Sequence, residues 1–440
     1  INRTTPGAGY LAWTFNEEMV AEYQVLGTGA SAEYGQMLGS AFNVVTKSGT
    51  NQFHGSAALT YQDPDWVGEN AESTQEDTPD DARTYRLDTN NRLSVTLGGP
   101  IVRDKLWFFV GAEWGEYLAF WPDVVELPES KEDSWSNYDA KLTAQLGHNH
   151  RLTLTVNDHE NLFPSRGSVW AAPSTWQETY GHDNMFALDY SGILGQNTVL
   201  EVRGGFWRGD EEWRPQSPSD EPYYRDWTVW PVESFGGTYW NYIWERHSDT
   251  AEVKITQHAD DFIAGDHEFR FGVQYNRGGG STKAYNVLYY YLYDYYGPDY
   301  VYEYLYTGLP YYYGGESESW GAFVTDSWNV SNQLTLEIGV RYDTHDGWVN
   351  EFPRLDMDSN PTGETIPGAN YIDGWSNVDP RLGFAWNIGG EGKNVLRGSA
   401  GLFHAGLVSG DWYSPPPDSP VWAYYWRWPD CPARSTPSPR

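Results

Sequence analysis

Aromatic side chains are the residues of this sequence best suited to binding a ligand. The chain has 440 residues, including 23 Trp and 33 Tyr, and 17% of it is aromatic. One stretch is rich in Trp and another in Tyr, and such rings can stack on a glycan, a peptide or an aromatic ligand. The candidate ligand-binding residues are Trp227, Trp230, Trp240, Trp244, Tyr285, Tyr289, Tyr293 and Tyr296. The alternative is that these rings pack on one another or form an interfacial girdle.

Catalytic and metal-binding patterns are absent from the sequence. There is no G-x-S-x-G elbow, P-loop, dinucleotide-binding glycine pattern or H-E-x-x-H. His148 and His150 flank a tight turn and are predicted to be solvated. Acidic clusters at 63–81 and 210–226 lack the spacing of an EF-hand, although divalent cations could still bind there. We therefore expect a protein that is not an enzyme and has no cofactor and no metal site.

Charge, cysteine content and hydropathy argue against three further classes of protein: nucleic-acid binding, disulfide-framework and transmembrane-helix proteins. The sequence has 28 basic and 61 acidic residues, a formal net charge of −33, so nucleic acid is excluded as a partner. A single cysteine, Cys431, cannot build a disulfide framework. No run approaches 18 consecutive apolar residues, which argues against a transmembrane helix.

The elements that must position the aromatic residues are β-strands. From Phe53 onward apolar and polar residues alternate, as in 138–146 and 334–342, which predicts an antiparallel sheet with one apolar and one polar face. About thirteen strands of roughly ten residues are expected, long enough to cross a bilayer when tilted. We place them near 53–62, 88–98, 105–114, 135–146, 150–159, 183–193, 197–207, 248–257, 266–276, 319–329, 333–342, 378–388 and 394–404.

The connections between these strands alternate between short and long. Short connections such as 147–149 and 330–332 follow long ones such as 115–134 and 277–318. A barrel with tight periplasmic turns and long extracellular loops produces this alternation, whereas a sandwich or propeller does not. Charged residues on the polar face, among them Arg203, Lys254, Arg270 and Arg341, are then expected to line a polar lumen.

The first 50 residues have a different character. They are rich in Gly, Ala and Ser, with short apolar runs and two helix-compatible stretches, and a small α/β or irregular unit fits them best. Their glycines could allow close packing against a barrel wall or simply form tight turns. Glu33 and Lys47 could pair with barrel residues, and solvated charges are the equal alternative.

Five stretches together resemble the TonB-dependent outer-membrane receptors, in particular the Oar-like branch, whose members usually carry a carboxypeptidase-regulatory-like domain. Residues 21–35 (AEYQVLGTGASAEYG) and 39–55 (GSAFNVVTKSGTNQFHG) are similar to the end of the plug and the first barrel strand. Residues 98–109, 322–343 and 379–404 resemble later hairpins, in the family's order. The resemblance covers roughly residues 15–405.

The resemblance implies an all-β fold: an antiparallel transmembrane β-barrel preceded by the end of a plug domain. We expect the C-terminal part of the plug at 1–52, a partial barrel at 53–405 and a loop or irregular truncated tail at 406–440. The family's barrel has 22 strands, so both ends are interpreted as truncations, and the TonB box would lie before Ile1. The last strand is then expected to be an exposed edge.

The implied function is uptake or sensing of a large ligand (an oligosaccharide, peptide or chelate) by plug movement in the bacterial outer membrane. The implied partners are a TonB-type inner-membrane energy complex, outer-membrane lipid and lipopolysaccharide, and an extracellular ligand of unknown identity. Two alternatives remain open at this point: a non-transporting adhesin or glycan-binding barrel, and a soluble aromatic-rich β-protein whose apolar strand faces are buried in a core.

Overall fold

The computed structural model describes residues 16–27, 29–36, 41–68, 72–73, 78–124, 132–164, 169–216, 223–226, 232–238, 241–285, 287–294, 301–308, 311–356, 359–406 and 421–427. Regular structure in these ranges is almost entirely β, apart from four single-turn 3-10 helices at Glu17–Met19, Pro64–Trp66, Asp80–Ala82 and Pro173–Thr175. Among the described residues, no helix is long and apolar enough to span a membrane.

Thirteen strands form one continuous antiparallel sheet in which each strand pairs with the next long strand of the chain. Their bounds are β3 His54–Tyr61, β4 Arg86–Val102, β5 Leu106–Phe120, β6 Asp133–Leu146, β7 His150–Pro164, β8 Gln177–Leu194, β9 Thr198–Pro215, β12 Tyr242–Ala259, β13 Asp266–Ala284, β16 Tyr311–Ser331, β17 Leu334–Val349, β20 Ala369–Asn387 and β21 Val395–Gly401. The predicted number and positions of the barrel strands are confirmed. Most strands extend past the predicted ten residues into the long connections, because backbone pairing continues beyond the alternating apolar pattern.

The two faces of this sheet have the reverse of the usual burial. Apolar side chains such as Leu59, Val253 and Leu382 are exposed, at 73%, 46% and 59%. Polar side chains at alternating positions are buried, including Asn137 and Arg341. An apolar exposed face requires a lipid environment, because exposing that much contiguous apolar surface to water would be unfavourable. The soluble alternative, with the apolar face buried in a core, is therefore wrong.

The exposed apolar positions form a band along the outer face. On β8 the apolar side chains of this face run from Phe186 to Leu194, about 27 Å along the strand. With a strand tilt of about 35–45° this spans about 20 Å across the bilayer, which is most of the height of a bilayer-facing band. Aromatic pairs lie at its long-loop edge: the rings of Trp114 and Tyr138 are 5.9 Å apart, and those of Tyr275 and Trp320 are 4.8 Å apart. These pairs have the place and chemistry of an interfacial girdle.

The described residues between 16 and 50, named the inner segment here, pack against the polar face of the large sheet. Within them, β1 (Val20–Leu26) and β2 (Ala41–Thr46) form an antiparallel two-stranded sheet. Of the two helix-compatible stretches predicted for this region, its described residues contain one 3-10 turn, Glu17–Met19, which Asn16 caps by accepting a hydrogen bond from the Glu18 amide. The segment is therefore mainly extended rather than a small α/β unit.

Two long connections and the segment after β21 join in a second sheet. It has five strands in the order β11 (Glu233–Gly236), β10 (Tyr223–Asp226), β14 (Val287–Asp294), β15 (Val301–Gly308) and β22 (Val421–Arg427). The Tyr-rich stretch, predicted as a low-complexity loop, thus contains a hairpin, and the tail predicted as irregular contains a strand. A further hairpin, β18 (Phe352–Leu355) and β19 (Pro361–Ile366), lies in the connection after β17.

A charge placed in the apolar band should destabilise the protein in a depth-dependent way. Val340 and Thr344 lie on the same face of β17, about 13 Å apart along the strand, with Val340 inside the band and Thr344 beyond it. We expect Val340→Arg to lower the free energy of unfolding in lipid by about 2–4 kcal/mol and Thr344→Arg by about 0–1 kcal/mol. Reversible denaturant unfolding in phospholipid vesicles measures both, and equal effects would contradict a lipid-facing band.

Candidate functional site

The inner segment is held by a buried arginine on β17. Arg341 is 1% exposed and forms a two-pronged pair with Asp343: Nε donates to Oδ2 and Nη2 to Oδ1, each at 2.7 Å. Such a bidentate pair fixes the plane of the guanidinium and leaves Nη1 free to donate elsewhere.

That remaining nitrogen points at the backbone of the inner segment. Nη1 of Arg341 donates to the carbonyls of Ala32 and Glu33 at 3.4 and 3.3 Å, and to Oε1 of Gln274 at 2.7 Å. Gln274, on β13, donates in turn to the same Glu33 carbonyl at 3.0 Å. Gly35 passes directly over the guanidinium, where a Cβ would come within 2.3 Å of Arg341 Cζ. Only glycine fits at that crossing.

A second arginine, Arg381 on the neighbouring strand β20, binds the backbone of the same stretch, residues 30–34. Arg381 Nη1 lies 3.3, 2.5 and 2.7 Å from the carbonyl oxygens of Ala30, Ser31 and Tyr34. Its guanidinium lies over the Phe403 ring, with Cζ 4.1 Å from the centroid. Arg341 and Arg381, called the arginine clamp below, therefore hold residues 30–34 through main-chain oxygens.

The beginning and end of the inner segment contact the first strands of the large sheet. Ser94 on β4 donates to the Asn16 side chain at 2.7 Å, and Ser56 on β3 donates to Glu18 at 2.9 Å. On β6, Lys141 donates to the Thr46 carbonyl at 3.0 Å. One short segment thus bridges β3–β6 and β17–β20, which requires the sheet to curve around it.

The two charges predicted to pair with the barrel have different outcomes. Glu33 does so: its carboxylate is 3.6 Å from Lys254 Nζ on β12, which also contacts Glu201 at 2.8 Å. Lys47 instead lies 4.0 Å from Glu18, within the inner segment. The predicted polar wall is present as well, since Arg203, Arg270 and Arg341 all lie on the face that carries Lys254.

The predicted aromatic ligand site is only partly described. Trp227, Trp230, Trp240 and Tyr296 lie outside the described residues. Tyr289 and Tyr293 belong to β14, and the backbone register pairs them with Tyr306 and Tyr302 of β15. Trp244 is on β12, while Tyr285 follows β13.

Trp244 and Tyr285 do not form one site. Trp244 pairs with Thr282 on the inner face of the sheet. Tyr285 instead has Lys283 Nζ 5.2 Å from its ring centroid, and Lys283 occupies the opposite face from Thr282. Burial, followed by the nearby carboxylates of Glu212 and Glu245, raises the pKa of the Tyr285 phenol.

Trp244 belongs to an aromatic row that sequence reasoning missed. The rings of Trp213 and Tyr242 stack with centroids 5.6 Å apart, and Trp244 follows at 5.3 Å from Tyr242. Arg246 lies over Trp244 with Cζ 5.6 Å from its centroid and donates to Glu211 at 2.9 Å. The signal in the sequence was the alternation of Trp244 with Tyr242 two residues earlier, at the start of a strand.

A buried carboxyl lies beside this row on β8. Asp183 is 6% exposed, and burial raises its pKa to about 7; the neighbouring carboxylates of Asp210 and Glu211 act in the same direction, against the opposing effect of Arg246. Asp183 lies beyond the apolar band, which begins at Phe186 on the same strand. Its carboxyl is therefore partly protonated at neutral pH.

Metal ligands do not converge in the part of the chain that the structure describes: no group of three or more His, Cys, Asp or Glu residues there could hold a metal ion. Of the two turn histidines, His150 is not simply solvated, because its Nδ1 lies 2.8 Å from the Tyr190 hydroxyl.

Two comparisons identify known proteins that are similar to this chain in sequence. The family model described as "Outer membrane beta barrel domain" matches residues 45–119 and 123–425. The TonB-dependent transporter Oar of Myxococcus xanthus is 32% identical over 111 residues, which are 25% of this chain and 10% of that protein.

Solved structures agree in fold. The outer membrane transporter YddB from Escherichia coli superposes with a TM-score of 0.67 at 12% identity, covering 93% of this chain and 52% of its own. The siderophore receptor PiuA from Acinetobacter baumannii gives 0.51 at 13% identity, covering 84% and 52%. The chain therefore spans about half the length of these two structures and a tenth of Oar. Lipid-exposed strands, a polar inner face and the family match together show that the chain belongs to the outer-membrane β-barrel domain family, is similar to TonB-dependent transporters and lies in the bacterial outer membrane.

Proposed function

We propose that this chain is the plug end and part of the barrel of a TonB-dependent transporter that admits a large extracellular ligand when the inner segment moves. In this proposal residues 1–52 are the C-terminal part of the plug, 53–405 are barrel and 406–440 are a loop or tail. A TonB-type inner-membrane complex supplies the force, lipid and lipopolysaccharide surround the barrel, and no covalent chemistry takes place.

The arginine clamp carries this proposal. It holds the inner segment through main-chain carbonyls of residues 30–34, which are present whatever the side chains are. Water can replace these carbonyls as hydrogen-bond acceptors. A hydrogen bond exchanged for one to water changes the free energy by only about 1 kcal/mol, or about 1.5–3 kcal/mol with a charged donor. The contacts are thus specific in position yet individually weak enough to break under force.

The rest of the described interface has the same polar character. Lys254, Gln274 and Lys141 contact the segment through charged or amide groups, while buried apolar residues of the segment are few, Met19 and Ala32 among them. An apolar interface of this size would resist sliding, because separation would expose apolar surface to water. A polar one separates into a hydrated lumen at lower cost.

Removal of the clamp should loosen the inner segment without unfolding the barrel. We expect Arg381→Gln to increase amide hydrogen exchange in residues 29–36 about tenfold, because loss of the contacts to three carbonyls would lower local stability by about 1.4 kcal/mol. Arg397→Gln, on the adjacent strand β21 at an exposed position, is the matched control. Unchanged exchange in Arg381→Gln would show that the clamp does not hold the segment.

A covalent lock should block movement of the inner segment. A Cβ built on Gly29 lies 3.7 Å from Cβ of Ser399 on β21, within the range of native disulfides. We expect Gly29→Cys/Ser399→Cys, made with Cys431→Ser in the full-length receptor, to suppress the channels that urea opens in planar bilayers. Dithiothreitol should restore them.

The reduced protein and the two single-cysteine variants serve as controls for this measurement. Urea-induced channels that persist in the oxidised lock would contradict the role of the inner segment as the stopper. If no channel opens in any variant, including the reduced protein, the non-transporting binding barrel is the better description.

A further inference from the structure

The inner face of β7, β8, β9, β12 and β13 has a built surface between the long connections and the inner segment. Its members are the aromatic row Trp213, Tyr242 and Trp244, the Arg246–Glu211 pair, Asp183 and Asn161. We call this surface the aromatic wall. The register places Trp213 opposite Tyr242, Glu211 opposite Trp244 and Asp183 opposite Gly209, all on one face.

Glycines on neighbouring strands allow side chains of the wall to pack directly against the backbone. A Cβ at Gly209 would be 2.1 Å from Asp183 Oδ1, and one at Gly181 would be 2.5 Å from Asn161 Oδ1. At Gly280 a Cβ would approach Arg246 Cγ to 3.2 Å. A carboxyl, an amide and the aliphatic stem of Arg246 therefore lie against the backbone of neighbouring strands beside the aromatic rings.

The charges of the wall are balanced. The guanidinium of Arg246 is compensated by Glu211 at 2.9 Å, so no free cation is available there for an anionic ligand. Asp183, buried beside Gly209, is partly protonated at pH 7, and its protonated form can donate as well as accept. The chain as a whole carries −33, and this field further disfavours polyanions.

We propose that the aromatic wall binds a neutral oligosaccharide. Sugar rings combine an apolar C–H face, which packs on a row of aromatic rings, with equatorial hydroxyls that both donate and accept hydrogen bonds. The wall offers both kinds of contact side by side, and its cation, Arg246, is compensated by Glu211. The proposal names a ligand class for the proposed transporter and rests on that function only for what happens after binding.

The aromatic wall lies where a ligand that enters past the long connections would bind before it reaches the inner segment. On β12, Arg246 is eight residues from Lys254, the residue of that strand that contacts the inner segment, which is about 26 Å along the strand. A saccharide on the wall therefore lies on the long-connection side of the segment and need not touch it.

The test uses charge-matched probes on the full-length receptor in nanodiscs. Neutral linear hexasaccharides of glucose, mannose, galactose and xylose are compared by calorimetry with hexagalacturonate, which is anionic, and hexaglucosamine, which is cationic. We expect at least one neutral hexasaccharide to bind at least tenfold more tightly than either charged probe. Trp244→Ala should weaken that binding at least tenfold, and Trp244→Phe less than threefold.

The matched control is Trp320→Ala, which removes an exposed tryptophan from the outer face and should leave binding unchanged. Saccharide binding should also persist in the oxidised Gly29→Cys/Ser399→Cys variant, in which the inner segment cannot move. Loss of binding at the aromatic wall and loss of movement of the inner segment are therefore distinguished. Absence of binding by all four neutral probes, or binding that Trp244→Ala leaves unchanged, would overturn the proposal. Preference for hexaglucosamine would identify a cation–π site instead.

Discussion

Backbone pairing between neighbouring strands fixes the rest of this molecule. In hydrocarbon no water is available to satisfy an amide or a carbonyl, so each strand must pair along its full membrane-spanning length. Pairing of this kind runs almost without interruption through β12 and β13, from Tyr242 with Ala284 to Ala259 with His267. Once the register is set, alternation decides which side chains face lipid and which face the lumen, and a slip of one residue would exchange the two.

The polar face that results needs its own partners, and the inner segment supplies them. Arg341 and Arg381 satisfy their donors with carbonyl oxygens of residues 30–34, and Asp343 orients Arg341 for the purpose. Gly35 allows the approach. The same contacts explain both why the segment is ordered and why it can leave. When the carbonyls withdraw, water that enters the lumen can replace them as hydrogen-bond acceptors for the two arginines, so the loss of free energy is small.

The sequence predicted the sheet well because a two-residue period and alternating connection lengths are local signals. Arg341 and Lys254 were predicted as polar wall residues for the same reason. The arginine clamp could not be predicted in detail, because its acceptors are main-chain oxygens that leave no trace in residue types. Trp213 was missed because its relation to Tyr242 is set by a register across about 30 residues, and β14 and β15 were missed because a run of tyrosines has no alternation to reveal a strand.

The five-stranded sheet ties together connections that are far apart in sequence. β10 pairs in parallel with β14, and β15 pairs with β22, so segments near residues 225, 290, 305 and 425 share one hydrogen-bonded unit. Surface loops of a barrel usually diversify independently, since each closes on its own hairpin. Here an insertion that shifts the register of one connection would misalign the others, so these connections are expected to change during evolution as a linked set and to be exchangeable between relatives only together.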